Sequence, residues 1–163
     1  MEFAEIVARL GKSVPKALLP VGEEDHHLSI RPKSWLKVAR QLRDDPELHF
    51  DSLMCLTGND LGPGEPLWVA YNFHSMDQGH KLEIRIEVPR EGGTIASVAN
   101  IWRTADWHER EVFDLFGINF EGHPDLRRIL LPYDWKGHPL LKDFVTPDYY
   151  RGMPVPKDKR GWE

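Results

Sequence analysis

Residues Lys81–Val88 alternate without a break: Leu82, Ile84, Ile86 and Val88 are apolar, while Lys81, Glu83, Arg85 and Glu87 are charged. A period of two is the mark of a β-strand with one dry face and one wet face. Such a strand needs a pairing mate on its edge and a cover over its dry side. The chain therefore has to supply a sheet and something apolar to lay across it. Leu67–His74, separated from Lys81 by a short polar stretch, is the expected hairpin mate.

The cover is legible at helical spacing. Phe3, Ile6, Val7 and Leu10 recur at i, i+3, i+4 and i+7, and Gly11 is the expected stop. Pro32 suits a helix start, followed by Trp35, Val38, Ala39 and Leu42 on one stripe. Residues 27–31 and 48–56 read as further strands, 58–66 as a loop, and 97–102 as the beginning of a short helix or strand. Asp106 is the expected N-cap of another helix, with Glu109 three residues on to reach back. Val112, Leu115 and Phe116 form its apolar face and Gly117 ends it. Helices with three or four strands give the expectation of an α+β fold: two layers, a mainly antiparallel or mixed sheet packed against helices, and an extended C-terminal arm.

The domain organisation follows from a change at residue 117. Residues 1–116 read as the α+β body and 117–163 as an extended, Pro-rich arm. Gly and Pro make up 11 of the 47 arm residues against 15 of 116 in the body. Neither apolar period continues into the arm, yet it holds Tyr133, Trp135, Phe144, Tyr149, Tyr150, Arg127 and Arg128. Aromatic and Arg side chains concentrate where interfaces derive their energy. An arm of that kind, without a core of its own, is expected to lie on another chain; packing back on its own body is the other option.

Several functions are argued against by what the residues lack. A net charge of −5 with no basic block disfavours duplex nucleic acid. The single cysteine, Cys55, can form no internal disulfide and no cluster site alone, and is read as a buried small apolar residue. The first residues do not read as a signal peptide. The longest stretches free of charged residues fall well short of the roughly 20 residues a membrane span needs, so membrane contact is expected only through partners. Trp107-His108-Glu109-Arg110-Glu111 invites a metalloprotease reading, but the second His that reading requires is Val112. Glu109 and Glu111 lie about 200° apart around a helix, so they cannot act on one atom. Arg110 and Asp114, four apart, are placed to pair. No phosphate loop, nucleophile elbow or zinc spacing occurs. His123-Pro124-Asp125 and His138-Pro139 read as turn hydrogen-bonders, and Arg127-Arg128 as a loop able to offer bidentate contacts to carboxylates.

The run from Trp107 to Gly117, then Ile118 to Pro132 with its His-Pro-Asp-Leu-Arg-Arg tract, resembles the C-type subunit of the proton-translocating NADH–quinone oxidoreductase, the 30 kDa subunit family of respiratory complex I. Ser97-Val98, Ile101-Trp102, residues 134–140 and Lys142-Asp143-Phe144 continue the match. Leu141 stands where the family has Arg, removing one interface charge. The resemblance implies a non-catalytic scaffold subunit of the peripheral arm of a membrane-bound complex that couples electron transfer from NADH to quinone with proton translocation. It implies no cofactor in this chain, with FMN, iron–sulfur clusters and quinone in partner subunits. The direct partner would be the large D-type subunit of the quinone site, with the B-type and I-type subunits nearby. The location would be the cytoplasmic side of the inner membrane, or the matrix or stromal face of an organelle. The partner-facing residues are expected to be Trp107, Glu109, Arg110, Glu111, Phe116, His123, Asp125, Arg127, Arg128, Trp135, His138, Lys142 and Phe144. The homologous subunit of a membrane-bound hydrogenase or ferredoxin-linked quinone-reducing complex is the alternative. A free-standing hydrolase using His108, Glu109 and Glu111, and an unrelated binding module, are the rivals of other classes.

Overall fold

The dry face of Lys81–Val88 is covered by helices, as its alternation requires. The computed structural model describes residues 1–20, 22 and 26–155. In chain order it holds helix α1 (Phe3–Ser13), strand β1 (His27–Ser29), a 3-10 turn (Pro32–Ser34) leading into α2 (Trp35–Asp44), β2 (Ser52–Asp60), β3 (Leu67–His74), β4 (Lys81–Val88), β5 (Thr94–Ala96), α3 (Ala105–Phe116), β6 (Asn119–Glu121), β7 (Tyr149–Tyr150) and β8 (Met153–Pro154). The main sheet has the order β1-β4-β3-β2, with β1 parallel to β4 and the other pairs antiparallel. The fold is thus α+β with a mixed sheet packed against helices.

Register sets the core. Leu67 faces Val88, Val69 faces Ile86, Tyr71 faces Ile84 and Phe73 faces Leu82. These rows lie on one side of the pleat and are all buried. Trp35, Val38, Ala39 and Leu42 of α2 and Ile6 and Leu10 of α1 are fully buried in the same core, and Trp35 meets Tyr71 with ring centroids 4.6 Å apart. Each large side chain buried this way is worth about 1.5–3 kcal/mol. On the other side Trp68 carries the Arg85 guanidinium 4.7 Å above its ring.

Several local expectations shift. Helix α1 runs past Gly11, which does not take the left-handed conformation of a C-cap. Strand β2 begins at Ser52, because Leu48 and His49 donate to the Asp45 carbonyl and Phe50 to that of Leu42, wrapping this stretch around the end of α2. The loop after it begins at Leu61. A bulge between Leu53 and Cys55 leaves Met54 unpaired. Residues 97–102 form a turn in which Val98 accepts from Ile101 and Trp102. Gly117 does end α3, with φ 78° and its N–H on the Phe113 carbonyl.

The packed body continues beyond residue 116. Strand β6 pairs in parallel with β5, and Ile118 and Phe120 are buried in the common core. From residue 121 to 155 no residue is buried as a whole, although the His123 ring is enclosed. The arm proper therefore begins after β6; residues 156–163 of the expected arm lie outside the described residues.

Candidate functional site: the arm junction on α3

Helix α3 is the spine to which the arm is tied. Its last-turn carbonyls lack intrahelical partners, as at any helix end. Here the arm supplies them. The Asp114 carbonyl accepts from Arg128 Nη1 at 3.1 Å and His138 Nδ1 at 2.9 Å, and the Leu115 carbonyl accepts from the Leu140 N–H at 3.1 Å. This requires His138 to carry its proton on Nδ1.

The Asp114 side chain is fully buried and does more. Its Oδ2 accepts the consecutive backbone N–H groups of Ile129, Leu130 and Leu131 at 3.1, 2.9 and 2.8 Å. Its Oδ1 takes Arg128 Nη1 at 2.6 Å. Burial pushes this carboxyl up, but the Leu131 N–H, the Arg128 guanidinium and the other two N–H groups together outweigh it, so it lies below its ordinary value. The expected Arg110–Asp114 pair does not form. Arg110 instead donates to the carbonyls of Arg127 and Arg128. Arg128 reaches Asp114 from the arm with three neighbouring N–H groups beside it, a match Arg110 on the helix surface cannot offer.

A second junction lies at the start of the helix. Asp106 is not the N-cap; Thr104 is, without a capping side-chain hydrogen bond. Glu109 does not reach back but points into the core, where it accepts from Ser97 Oγ at 2.5 Å and the Val98 N–H at 2.8 Å. Neither partner is a cation. Burial pushes its carboxyl up to about 7, with Ser97 and Val98 pulling down and Asp106 adding to the rise. The His123 ring, also buried, lies with Nε2 3.9 Å from Glu109. His123 Nδ1 accepts the Asp125 N–H at 3.0 Å, so in the neutral ring Nε2 carries the proton and donates to the Asp106 carbonyl at 3.1 Å.

A third tie sits at the end of β2. Buried Asp60 takes a two-pronged contact from Arg90 at 2.5 and 2.8 Å, plus the N–H groups of Gly62 and Lys142. Arg90 also bonds Asp143 at 2.6 Å. The Arg90 hydrogen bond holds the Asp60 carboxyl far below its usual range, against burial and helped by the two N–H groups.

The residues expected to face a partner divide in two. Glu109, Arg110, Arg128, His123 and His138 are engaged within the chain as described. Phe116 covers Gly58, where any Cβ would stand 2.5 Å from its ring. The Phe144 ring lies against Gly137, and Trp135 packs on Tyr150 at 5.2 Å. Trp107, Glu111, Asp125, Arg127 and Lys142 are exposed, Trp107 at 69%. Leu141 is half-buried and packs against the core. Cys55 is half-buried on the edge strand, not fully enclosed, with Sγ 3.2 Å from Thr57 Oγ1. The Asp114 and Asp60 hubs lie outside the set of expected site residues. Apart from the Gly62 N–H, two residues from Asp60, their partners sit 14 to 82 positions away, so no local pattern marks the hubs.

Among the described residues no group of three or more His, Cys, Asp and Glu is arranged to hold a metal ion, and no helix is long and apolar enough to cross a membrane. The geometry is that of a block with a polar-tethered strap that exposes large apolar side chains among charged ones.

Residues 28–150 match the family of the respiratory-chain NADH dehydrogenase 30 kDa subunit. The chain belongs to this family. The C-type subunit of the NADH-quinone oxidoreductase of Chloroherpeton thalassium is 50% identical over 103 residues, covering 63% of this chain and 42% of that protein. Its counterpart in Roseiflexus castenholzii is 44% identical over 133 residues, covering 80% and 76%. The chain spans 42% and 61% of the length of the relatives from Chloroherpeton thalassium and Chlorobium phaeobacteroides. The trypsin-resistant fragment of Nqo5 has a similar structure, with TM-score 0.60, 27% identity, and coverage of 77% of this chain and all of that one. A chain of the membrane-bound sulfane sulfur reductase, an archaeal respiratory membrane complex, shares the fold at TM-score 0.60 and 19% identity, over 78% of this chain and 75% of its own.

Proposed function

We propose that this 30 kDa-family chain is a non-catalytic scaffold subunit of a membrane-bound NADH–quinone oxidoreductase, and that its arm lies along a larger neighbouring subunit. The observation that carries the reading is the arm itself. Between residues 122 and 155 no residue is buried as a whole, yet buried Asp114 and Asp60 hold the arm's backbone in a defined path. Leu130, Tyr133, Leu140, Val145, Tyr149 and Met153 are left facing outward. A strap fixed by polar ties that leaves these large apolar side chains exposed among charged ones is suited to bury them against another chain.

In this reading the chain holds no flavin, cluster or quinone; these sit in partner subunits, and reduction of quinone and proton translocation occur there. The large D-type subunit is the direct neighbour, with the B-type and I-type subunits close by. Membrane attachment comes through them on the cytoplasmic, matrix or stromal side. Scaffolding matters because electron transfer and reaction geometry tolerate little displacement.

Affinity purification of the tagged chain from its native membrane, with mass spectrometry of the retained subunits, tests the reading. The large quinone-site subunit, its two neighbours and NADH-dependent quinone reduction are expected in the eluate. Recovery of hydrogenase or ferredoxin-linked subunits would move the chain to a related machine, and recovery of the chain alone would defeat the proposal.

A further inference from the structure

β2 is an edge strand, and α3 runs beside it. Between them is a hollow of about 210 Å³ lined by Cys55, Thr57, Gly58, His108, Glu111 and Phe116, with Leu140 of the arm at its margin. Leu56 and Val112 complete its apolar lining. An apolar cavity of about 150 Å³ is large enough for one benzene ring, so this space suits one large side chain. Gly58 keeps the wall low where Phe116 approaches it.

Glu111 is the only carboxylate lining this hollow. It is exposed and forms no ion pair among the described residues. Trp107 stands one helical turn before it on the same side of α3 and is 69% exposed. A pocket for one apolar group beside an exposed Trp matches the make-up of an interface hot spot, and Glu111 places one negative charge at its edge. The charge selects the occupant: an apolar side chain from an anionic segment would be repelled, whereas one next to Arg or Lys would be drawn in. Leu140 both lines the hollow and is among the outward-facing apolar residues of the arm.

We propose that this hollow is the socket for a single Phe, Leu or Met side chain of the neighbouring subunit, inserted beside an Arg or Lys that pairs with Glu111. The inference rests on the scaffold reading above and adds to it the anchoring point and the partner's chemistry.

Cys55, the sole cysteine, is a built-in reporter at the socket. The full chain, free and in the membrane complex, is treated with N-ethylmaleimide, and the labelling rate of Cys55 is followed by mass spectrometry. The socket predicts at least a tenfold slower rate in the complex. Two variants complete the test, each first checked for an unchanged melting temperature. Thr57→Trp fills the hollow from an exposed position, and Glu111→Lys repels the cation. Both are expected to lower recovery of the partner subunits at least tenfold, with Glu111→Lys losing more at low salt than at high salt. Equal labelling in the two states, or shielding already present in the free chain, would overturn the socket, as would full recovery of partners by both variants. If the unmodified chain enters no membrane complex, it is the scaffold reading that fails.

Discussion

The Arg128 guanidinium reaches 2.6 Å from the fully buried Asp114 carboxylate, and this contact fastens the arm to the last turn of α3. Removing one member of a buried pair leaves the other charge uncompensated, which costs about 3–5 kcal/mol. Asp114→Ala is therefore expected to lower the melting temperature and to raise amide exchange at residues 129–131, whose N–H groups lose their acceptor. Unchanged exchange at those amides would show that the contact does not hold the arm.

The same carboxylate gives an acid-side prediction. Its value is lowered in the folded chain, so the stability it contributes is complete above the ordinary carboxylate value of 3.8 and is lost as pH falls through the lower folded value. Arm release, read as proteolytic cleavage within residues 122–155 by an acid-active protease, should appear below about pH 3.8. Asp114→Asn should show that cleavage at neutral pH with a neutral protease.

Glu109 behaves in the opposite sense. Its carboxyl is raised from 4.5 to about 7 by burial without a cation. Stability is greatest below pH 4.5, declines as pH rises toward 7 and stays reduced above it. A shift of this size corresponds to a cost of about 3 kcal/mol. Glu109→Gln keeps the shape and can still accept the Val98 N–H, so it should melt higher than the parent at pH 8 and about equally at pH 4. Denaturation curves at the two pH values check this; a variant less stable at pH 8 would mean that the charge is compensated.

The two adjacent arginines should separate folding from assembly. Arg127 is 70% exposed and pairs with exposed Asp125, whereas Arg128 is 17% exposed on Asp114. Arg127→Ala should change stability by less than about 0.5 kcal/mol while weakening recovery with partner subunits. Arg128→Ala should loosen the arm of the free chain itself. Native gels for assembly and thermal melts for folding distinguish the two.

Gly117 couples the helix stop to the arm. It needs φ 78°, and a Cβ there would stand 2.7 Å from the His138 ring. Gly117→Ala is expected to destabilise by about 1–2 kcal/mol from the left-handed backbone alone, with further loss from displacing His138. A thermal melt and the exchange rate of the Leu140 amide measure both parts.

What can be read in the sequence is what depends on near neighbours. Lys81–Val88 and Leu67–His74 appear as strands with the bounds expected from alternation, because cross-strand packing rewards that period directly. Gly117 ends α3 for a reason carried by one residue. Glu109 misleads because capping and burial use the same acid, and only the arrival of Ser97 and Val98 from another turn decides between them. The body's true end is hidden because β6 is three residues long and pairs with an equally short β5, leaving no periodic run to detect. Asp114 looks like a surface member of an i, i+4 pair with Arg110, whereas the arm's backbone claims it.

Hydrogen exchange across the whole chain, free and within the purified membrane complex, bears most directly on the scaffold account. The body through Glu121 should be protected alike in both states, except around Cys55–Gly58 and Trp107–Phe116 at the socket, while residues 122–155 should gain strong protection on assembly. Arm protection that is identical in the two states would contradict the account.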